Sequence, residues 1–181
     1  MMIASLKENS LGLTLVGAGQ DQTIIELNHG IVDVTGQSAR FRNMTIRALS
    51  GPSELMRGDA VRHFTLCNVT LSCVESPGYG LYFEPAESGS HVVTVTDCTI
   101  IGEGRPYYSG IYVPGYIGDY GPVDLYVENT SIRGFGYGVD GYFNRAGGHV
   151  YADCAKIYGY HGRVYDHDLG GYPPGIGELC K

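Results

Sequence analysis

The chain has 181 residues, 43% of them hydrophobic, and a formal net charge of −7, which is the length of one domain with enough apolar residues for a core. Its 12 Lys and Arg residues are scattered singly, which argues against a nucleic-acid surface, because such a surface needs clustered basic charge. The 28 glycines and the absence of Trp suit a turn-rich strand protein better than a helical one.

In chain order, residues 1–12 read as a short lead-in. MMIASLKENS lacks the apolar core of a signal peptide, and no apolar run approaches a membrane span. The expectation is a cytoplasmic or virion-borne protein, one exported by another route, or a piece of a longer chain. No amphipathic helix is at hand to plug the first coil, and an open coil end invites pairing with another chain.

A phrase then recurs five times: FRNMTI (41–46), LCNVTL (66–71), VTDCTI (95–100), VENTSI (127–132) and a looser YADCAKI (151–157). Its Asn or Asp falls at Asn43, Asn68, Asp97, Asn129 and Asp153, at intervals of 25, 29, 32 and 24 residues. A repeat in this range means a solenoid or array. A second word, Gly followed by aliphatic or aromatic residues, comes in GIVDV (30–34), GDAV (58–61), GLYF (80–83), GIYV (110–113) and GVDGYF (138–143), and a third alternating run leads into the next phrase, as in HVVTV (91–95) and VDLYV (123–127). Three short strands per repeat with no helix between them predict an all-β solenoid of about six coils, roughly 30 Å long at the ordinary strand spacing. Residues 52–57 are the one weak helix candidate, with a plain turn as the other reading.

The ladder of Asn43, Asn68, Asp97, Asn129 and Asp153 is expected at a sharp turn, since Asn and Asp tolerate left-handed backbone and bond their own main chain. Their stacked side chains can also bond one another. Alternation points Leu66, Val93, Val95, Leu125, Val127, Ile46, Leu71, Ile100, Ile132 and Ile157 inward. Asn43, Asn68 and Asn129 also begin N-x-S/T triplets, read here as by-products of the ladder and expected to remain unmodified. Cys98 and Cys154 follow the ladder residue two coils apart, beyond disulfide reach, and read as small core residues. There is no CxxC and no metal-ligand spacing, so neither a metal nor a cofactor is expected. Residues 13–166 form the solenoid, and 167–181, with two prolines and four glycines, cannot continue the coil and are expected to fold over its end.

The loops, at 47–57, 75–79, 84–90, 102–109, 114–121 and 143–148, are where a rigid scaffold presents function. Tyr79, Tyr107, Tyr108, Tyr116, Tyr120 and Tyr137 lie in or beside them. If Leu81, Ile111, Val139 and Val164 face inward, Tyr82, Tyr112, Asp140 and Tyr165 form a stacked outward row. Such a row can stack on sugar rings with little loss of entropy, form a subunit interface, or simply pack on the strands. The carboxylates on that side are Glu84, Asp140, Asp166 and Asp168, with Asp119 on a loop. A glycosidase needs two carboxyls roughly 5 to 10 Å apart, which neighbouring coils could supply at Asp140 and Asp166.

The arrangement resembles the right-handed parallel β-helix of the pectate-lyase-like superfamily, in which coils carry three strands and an asparagine ladder fills one turn. LTLVGAGQDQTIIEL (13–27) is similar to an early coil of pectin methylesterases and related proteins. The resemblance implies catalytic residues on the face of the Gly-led strand, where YHGR (160–163) is faintly similar to elements of polygalacturonases, with His161 and Arg163 assisting Asp140 and Asp166. The Asn-Thr-Asp and paired-Asp motifs and the calcium-binding acids of the lyases do not accompany it. Short β-helices also resemble phage tail spikes and virion proteins, which implies a homo-oligomer, a trimer by preference, that touches cell-surface glycans. The expectation is thus a structural or carbohydrate-binding module with Tyr82, Tyr112, Tyr165 and Glu84 as contacts, and no nucleic acid or membrane span. The alternative is a polysaccharide-degrading or polysaccharide-modifying hydrolase, lyase or epimerase.

Overall fold

The computed structural model describes residues 4–7, 12–28, 31–50, 53–73, 78–86, 88–115, 120–143, 147–167, 170 and 180. They form an all-parallel β-solenoid of about 5 turns, with 68% strand and 3% helix. That is slightly fewer turns than the six expected, a stack of roughly 24 Å at the strand spacing. No helix among the described residues is long and apolar enough to cross a membrane.

The chain winds over three faces. The first is built from β2 (Leu13–Val16), the opening halves of β5 (Ser38–Ala48) and β7 (His63–Cys73), then β9 (His91–Thr96), β11 (Val123–Glu128) and β13 (His149–Ala152). The second holds β3 (Ile24–Leu27), the closing halves of β5 and β7, and the openings of β10 (Thr99–Val113), β12 (Ser131–Gly141) and β14 (Ile157–Asp166). The third stacks β1 (Ala4–Lys7), β4 (Val32–Thr35), β6 (Glu54–Asp59) and β8 (Tyr79–Glu84) under the closing parts of β10, β12 and β14.

Alternation fills the interior. Ile46, Leu71, Ile100, Ile132 and Ile157 form one inward column on the second face, and Met56, Leu81, Ile111, Val139 and Val164 another on the third, all fully buried. Each such side chain contributes about 1.5–3 kcal/mol on burial. The two columns meet at the Gly-led strand, which explains its glycines. A Cβ on Gly80 would lie 2.5 Å from Ile100 Cγ2, and one on Gly110 or Gly138 would run into Ile132 or Ile157 of the following turn. In the last turn Arg163 takes the place of the next glycine, its carbonyl 2.8 Å from the Cβ position of Gly138.

The turn between the first and second faces holds Asn43, Asn68, Asp97 and Asn129 at φ of 55°, 54°, 55° and 45°. Asn68 Nδ2 donates to Asn43 Oδ1 at 3.0 Å, and Asn129 Nδ2 to Asp97 Oδ1 at 2.6 Å. An aspartate has no amide to pass the pattern on, and Asn68 Oδ1 instead accepts from Gln20 Nε2 at 2.9 Å. Asp153 departs from the ladder. At φ −83° it caps the short 3-10 turn Cys154–Lys156, accepting from Ala155 N, and Lys156 Nζ reaches Asn129 Oδ1 at 2.6 Å in its stead.

Five expectations need correction. A helix over 52–57 is one reading of the sequence, but the described residues 53–57 hold none: β6 begins at Glu54 and pairs in register with β8. In this turn Gly58 faces Phe83, three places beyond the position of Gly80, because its missing side chain makes room for the Phe83 ring. The expected loop 102–109 lies inside β10, whose pairing with β12 shifts register twice between Ile101 and Ser109. The lead-in already contributes β1, which pairs with β4 on the third face. Finally, Cys154 is no simple core residue. It is buried as expected, but bonded to Cys180, with Cα atoms 5.0 Å apart. Position 180 has no partner in the repeat, so periodicity could not pair it. Cys67, Cys73 and Cys98 are free thiols, and burial pushes Cys73 and Cys98 up to about 12. Residues 171–179 of the expected tail lie outside the described residues.

The disulfide closes a sequence separation of 26 residues, which the loop-entropy relation values at about 3.5 kcal/mol. Unfolding by urea with and without reductant, beside a Cys180→Ser variant, should show a loss of that order in both comparisons. Identical midpoints would refute it.

A second prediction concerns His91, which is fully buried. Its Nδ1 lies 2.8 Å from Val61 O, and its Nε2 accepts from Ala86 N at 3.1 Å. Only the neutral ring with its proton on Nδ1 serves both contacts. Burial lowers its pKa below the ordinary histidine value, against the pull of the Val61 carbonyl. The unfolded chain therefore binds a proton that the folded one refuses, so this stability is complete above about pH 6.5 and is lost as pH falls below it. His91→Gln should be less stable near neutral pH and show a shallower fall toward about pH 5 in thermal melts. Parallel curves would sink the assignment.

Candidate functional site

The third face carries its outward side chains in registered rows. Asp33, Arg57, Tyr82, Tyr112, Asp140 and Tyr165 are successive pairing partners. The order follows from strand alternation once Met56, Leu81, Ile111, Val139 and Val164 are inside. Neighbouring tyrosines thicken the row. Tyr79 stacks on Tyr112 with centroids 4.6 Å apart and planes at 15°, and meets Tyr82 at 5.6 Å and Tyr108 at 5.3 Å.

One end of the row is charged. The Arg57 guanidinium lies 5.3 Å from the centre of the Tyr82 ring, pairs with Glu84 and reaches Glu54 at 3.7 Å. Burial works to lower its pKa, but Glu84, Asp59 and Glu54 together hold it above the ordinary value. Glu84 is thus engaged by Arg57 at the edge of the row.

The other end centres on Asp140, which is 6% exposed. Ser109 Oγ donates to its Oδ2 at 3.1 Å, and His167 Nε2 lies 2.8 Å from Oδ1. Burial pushes the Asp140 carboxyl up from the ordinary aspartate range, while His167, Ser109 and the Gly141 amide pull it back. The His167 ring stacks on Tyr142 at 4.8 Å and 21°, and meets Tyr165 edge-on at 4.9 Å. The carboxylate holds one nitrogen of an imidazole whose ring is partly open to solvent and walled by two phenols, an arrangement suited to fixing a hydrogen bond or moving a proton.

Asp140 and Asp166 do not share this face. Asp166 is paired with Gly141, one place beyond the Asp140–Tyr165 pair, and is fully buried. One residue of offset turns a strand side chain to the opposite side, so Asp166 points into the solenoid and the expected carboxylate pair is not assembled. His161 packs by Tyr137 at 5.5 Å. Arg163 donates to Cys154 O at 3.3 Å and lies 5.8 Å from the Tyr158 ring centre. Asp119, Asp168 and Tyr116 lie outside the described residues. Sequence reasoning missed His167 and Ser109, although His167 could have been found by counting two residues on from Tyr165 to the same side of the strand. Among the described residues no group of three or more His, Cys, Asp or Glu is placed to hold a metal ion.

The fold and this face define a parallel β-solenoid with an aromatic surface. Comparison with protein-family models, with curated proteins and with solved structures finds no match to the chain.

Proposed function

We propose that this protein is a carbohydrate-binding β-solenoid module whose contact surface is the outward row of the third face. The observation that carries the reading is the unbroken register of Tyr82, Tyr112, Asp140 and Tyr165, with Tyr79 stacked on Tyr112. Phenol rings offer sugar rings an apolar face and a hydroxyl partner while losing little entropy on binding. Asp140, with Ser109 and His167 around it, supplies polar contacts between Tyr112 and Tyr165. The scattered basic residues and negative net charge favour a neutral glycan.

Calorimetric titration with a panel of neutral and acidic oligosaccharides tests the reading. Tyr82→Ala combined with Tyr112→Ala should weaken binding by about tenfold or more, which corresponds to about 1.4 kcal/mol. Unchanged affinity would exclude this face. The same surface could instead join copies in a homo-oligomer, a trimer by preference, serving structure or attachment. Light scattering on the same variant separates the two, since an interface variant would lose mass in solution.

The Asp140–His167 contact supports a second reading, a polysaccharide-modifying enzyme in which His167 exchanges a proton with bound sugar and Asp140 holds its ring. Under that reading the same panel, incubated with the protein and followed by chain length, is altered by the wild type and left intact by His167→Ala.

A further inference from the structure

The tyrosine row does not stop at Tyr165. The Tyr165 ring lies 5.0 Å from Tyr137, and Tyr137 lies 5.5 Å from His161. These contacts lead around the corner where the second face becomes the third. There the outer surface of the last two turns opens into a groove of about 240 Å³, lined by Gly134, Phe135, Tyr158, Gly159 and Tyr160.

The groove has a backbone floor. A Cβ on Gly134, at φ +82°, would strike Gly102 O, and one on Gly159 would strike Gly162 O and come within 2.8 Å of Gly136 O. Both positions therefore keep glycine, because the main chain of a neighbouring strand or turn packs directly against them. Phe135, 1% exposed, closes the base, while Tyr158 and Tyr160 are 54% and 67% exposed. The register shifts of β12 against β10 and β14 fall at this corner, and such irregularities re-aim side chains beside binding sites.

Three observations restrict the occupant. The volume lies below the roughly 300–1,000 Å³ of sites for drug-sized ligands, and so suits one ring. The described lining is two glycines and three aromatic side chains, without a carboxylate or a cationic group among them, and the chain's net charge is negative, which together favour a neutral ligand. The walls are phenols, and Tyr160 is the chain neighbour of His161, whose ring meets Tyr137 beside Tyr165, which sets the groove next to the end of the tyrosine row.

We propose that this groove is the end subsite of the carbohydrate track: one neutral pyranose ring seats between Tyr158 and Tyr160 while the rest of the same chain lies over Tyr165, Asp140 and Tyr112. The inference rests on the carbohydrate reading above and adds to it the place of the chain's end and a preference for oligosaccharides over single sugars. Two linked contacts raise affinity through effective concentration, so binding strengthens as the chain grows long enough to span both.

The experiment is calorimetric titration of the full chain with length ladders of gluco-, manno- and galacto-oligosaccharides. It compares the wild type, the Tyr158→Ala/Tyr160→Ala variant and the Tyr82→Ala/Tyr112→Ala variant, each checked for its strand circular dichroism. The expected result is wild-type affinity that rises with chain length, and a rise blunted by about tenfold in the Tyr158/Tyr160 variant. Tyr158→Phe/Tyr160→Phe, which keeps the stacking surface, should retain most of that rise. If the Tyr158/Tyr160 variant binds every length like the wild type while the Tyr82/Tyr112 variant is impaired, the end subsite is wrong and the carbohydrate reading survives. If the wild type binds no member of any ladder, both fall together.

Discussion

Gly138→Ala is expected to destabilise the protein by about 3 kcal/mol, the upper range for forcing one extra carbon into a packed core. The added carbon would run into Ile157 Cγ2 and lie 2.8 Å from Arg163 O. Neither neighbour can yield freely: Ile157 is fully buried, and Arg163 belongs to the strand paired with β12. The clash couples two turns, so its consequence should be non-additive. Ile157→Ala alone opens a cavity and costs about 2–5 kcal/mol, but in combination with Gly138→Ala it removes one of the two clashing atoms. Denaturant midpoints of both single variants and the double variant should give a double-variant cost smaller than the sum. Strict additivity would mean that the glycine is present for another reason.

Phe64→Ala should cost about 3–5 kcal/mol. Phe64 is fully buried, with its ring 6.1 Å from Phe41 below and 6.0 Å from Phe83. Each turn of a solenoid contacts only its neighbours, so a cavity in the turn that contains β7 and β8 weakens the joint between the first turns and the remainder. Phe64→Leu keeps most of the volume and should cost about 1.5 kcal/mol or less. A Phe64→Ala variant with a midpoint close to that of Phe64→Leu would show that the aromatic stack contributes little beyond its volume.

These two sites show why a solenoid responds sharply to single substitutions inside it yet tolerates a functional surface outside it. The inward columns are packed turn against turn, so a change of one carbon is transmitted along the axis. The outward side chains pack on one another rather than into the core: Tyr82 and Asp140 are 9% and 6% exposed beneath their neighbours, while Tyr158 and Tyr160 are more than half exposed. The rigidity of the first set holds the second in register, which lets tyrosines from successive turns act as one surface.

By itself, the sequence determined the features that recur with a period. Asn43, Asn68, Asp97 and Asn129 announced a left-handed turn because few side chains accept that backbone, and all four adopt it. Alternation identified Leu66, Val93, Val95, Leu125, Val127 and the isoleucine column as the core, and all are fully buried. Gly80, Gly110 and Gly138 anchored three turns well enough for the alignment of Tyr82, Tyr112, Asp140 and Tyr165 to be read directly. Only the tertiary structure decided what depends on register without a repeating mark. Leu55 takes the glycine's place in the turn of β6, so Gly58 misled by three residues. Asp166 lies one place out of step with Asp140, and one place in a strand is the difference between solvent and core. The bond between Cys154 and Cys180, the contact of Asp140 with His167 and the groove beside Tyr158 join residues through space. Loops of unequal length separate the turns, and local periodicity carries no information about where such loops bring their ends.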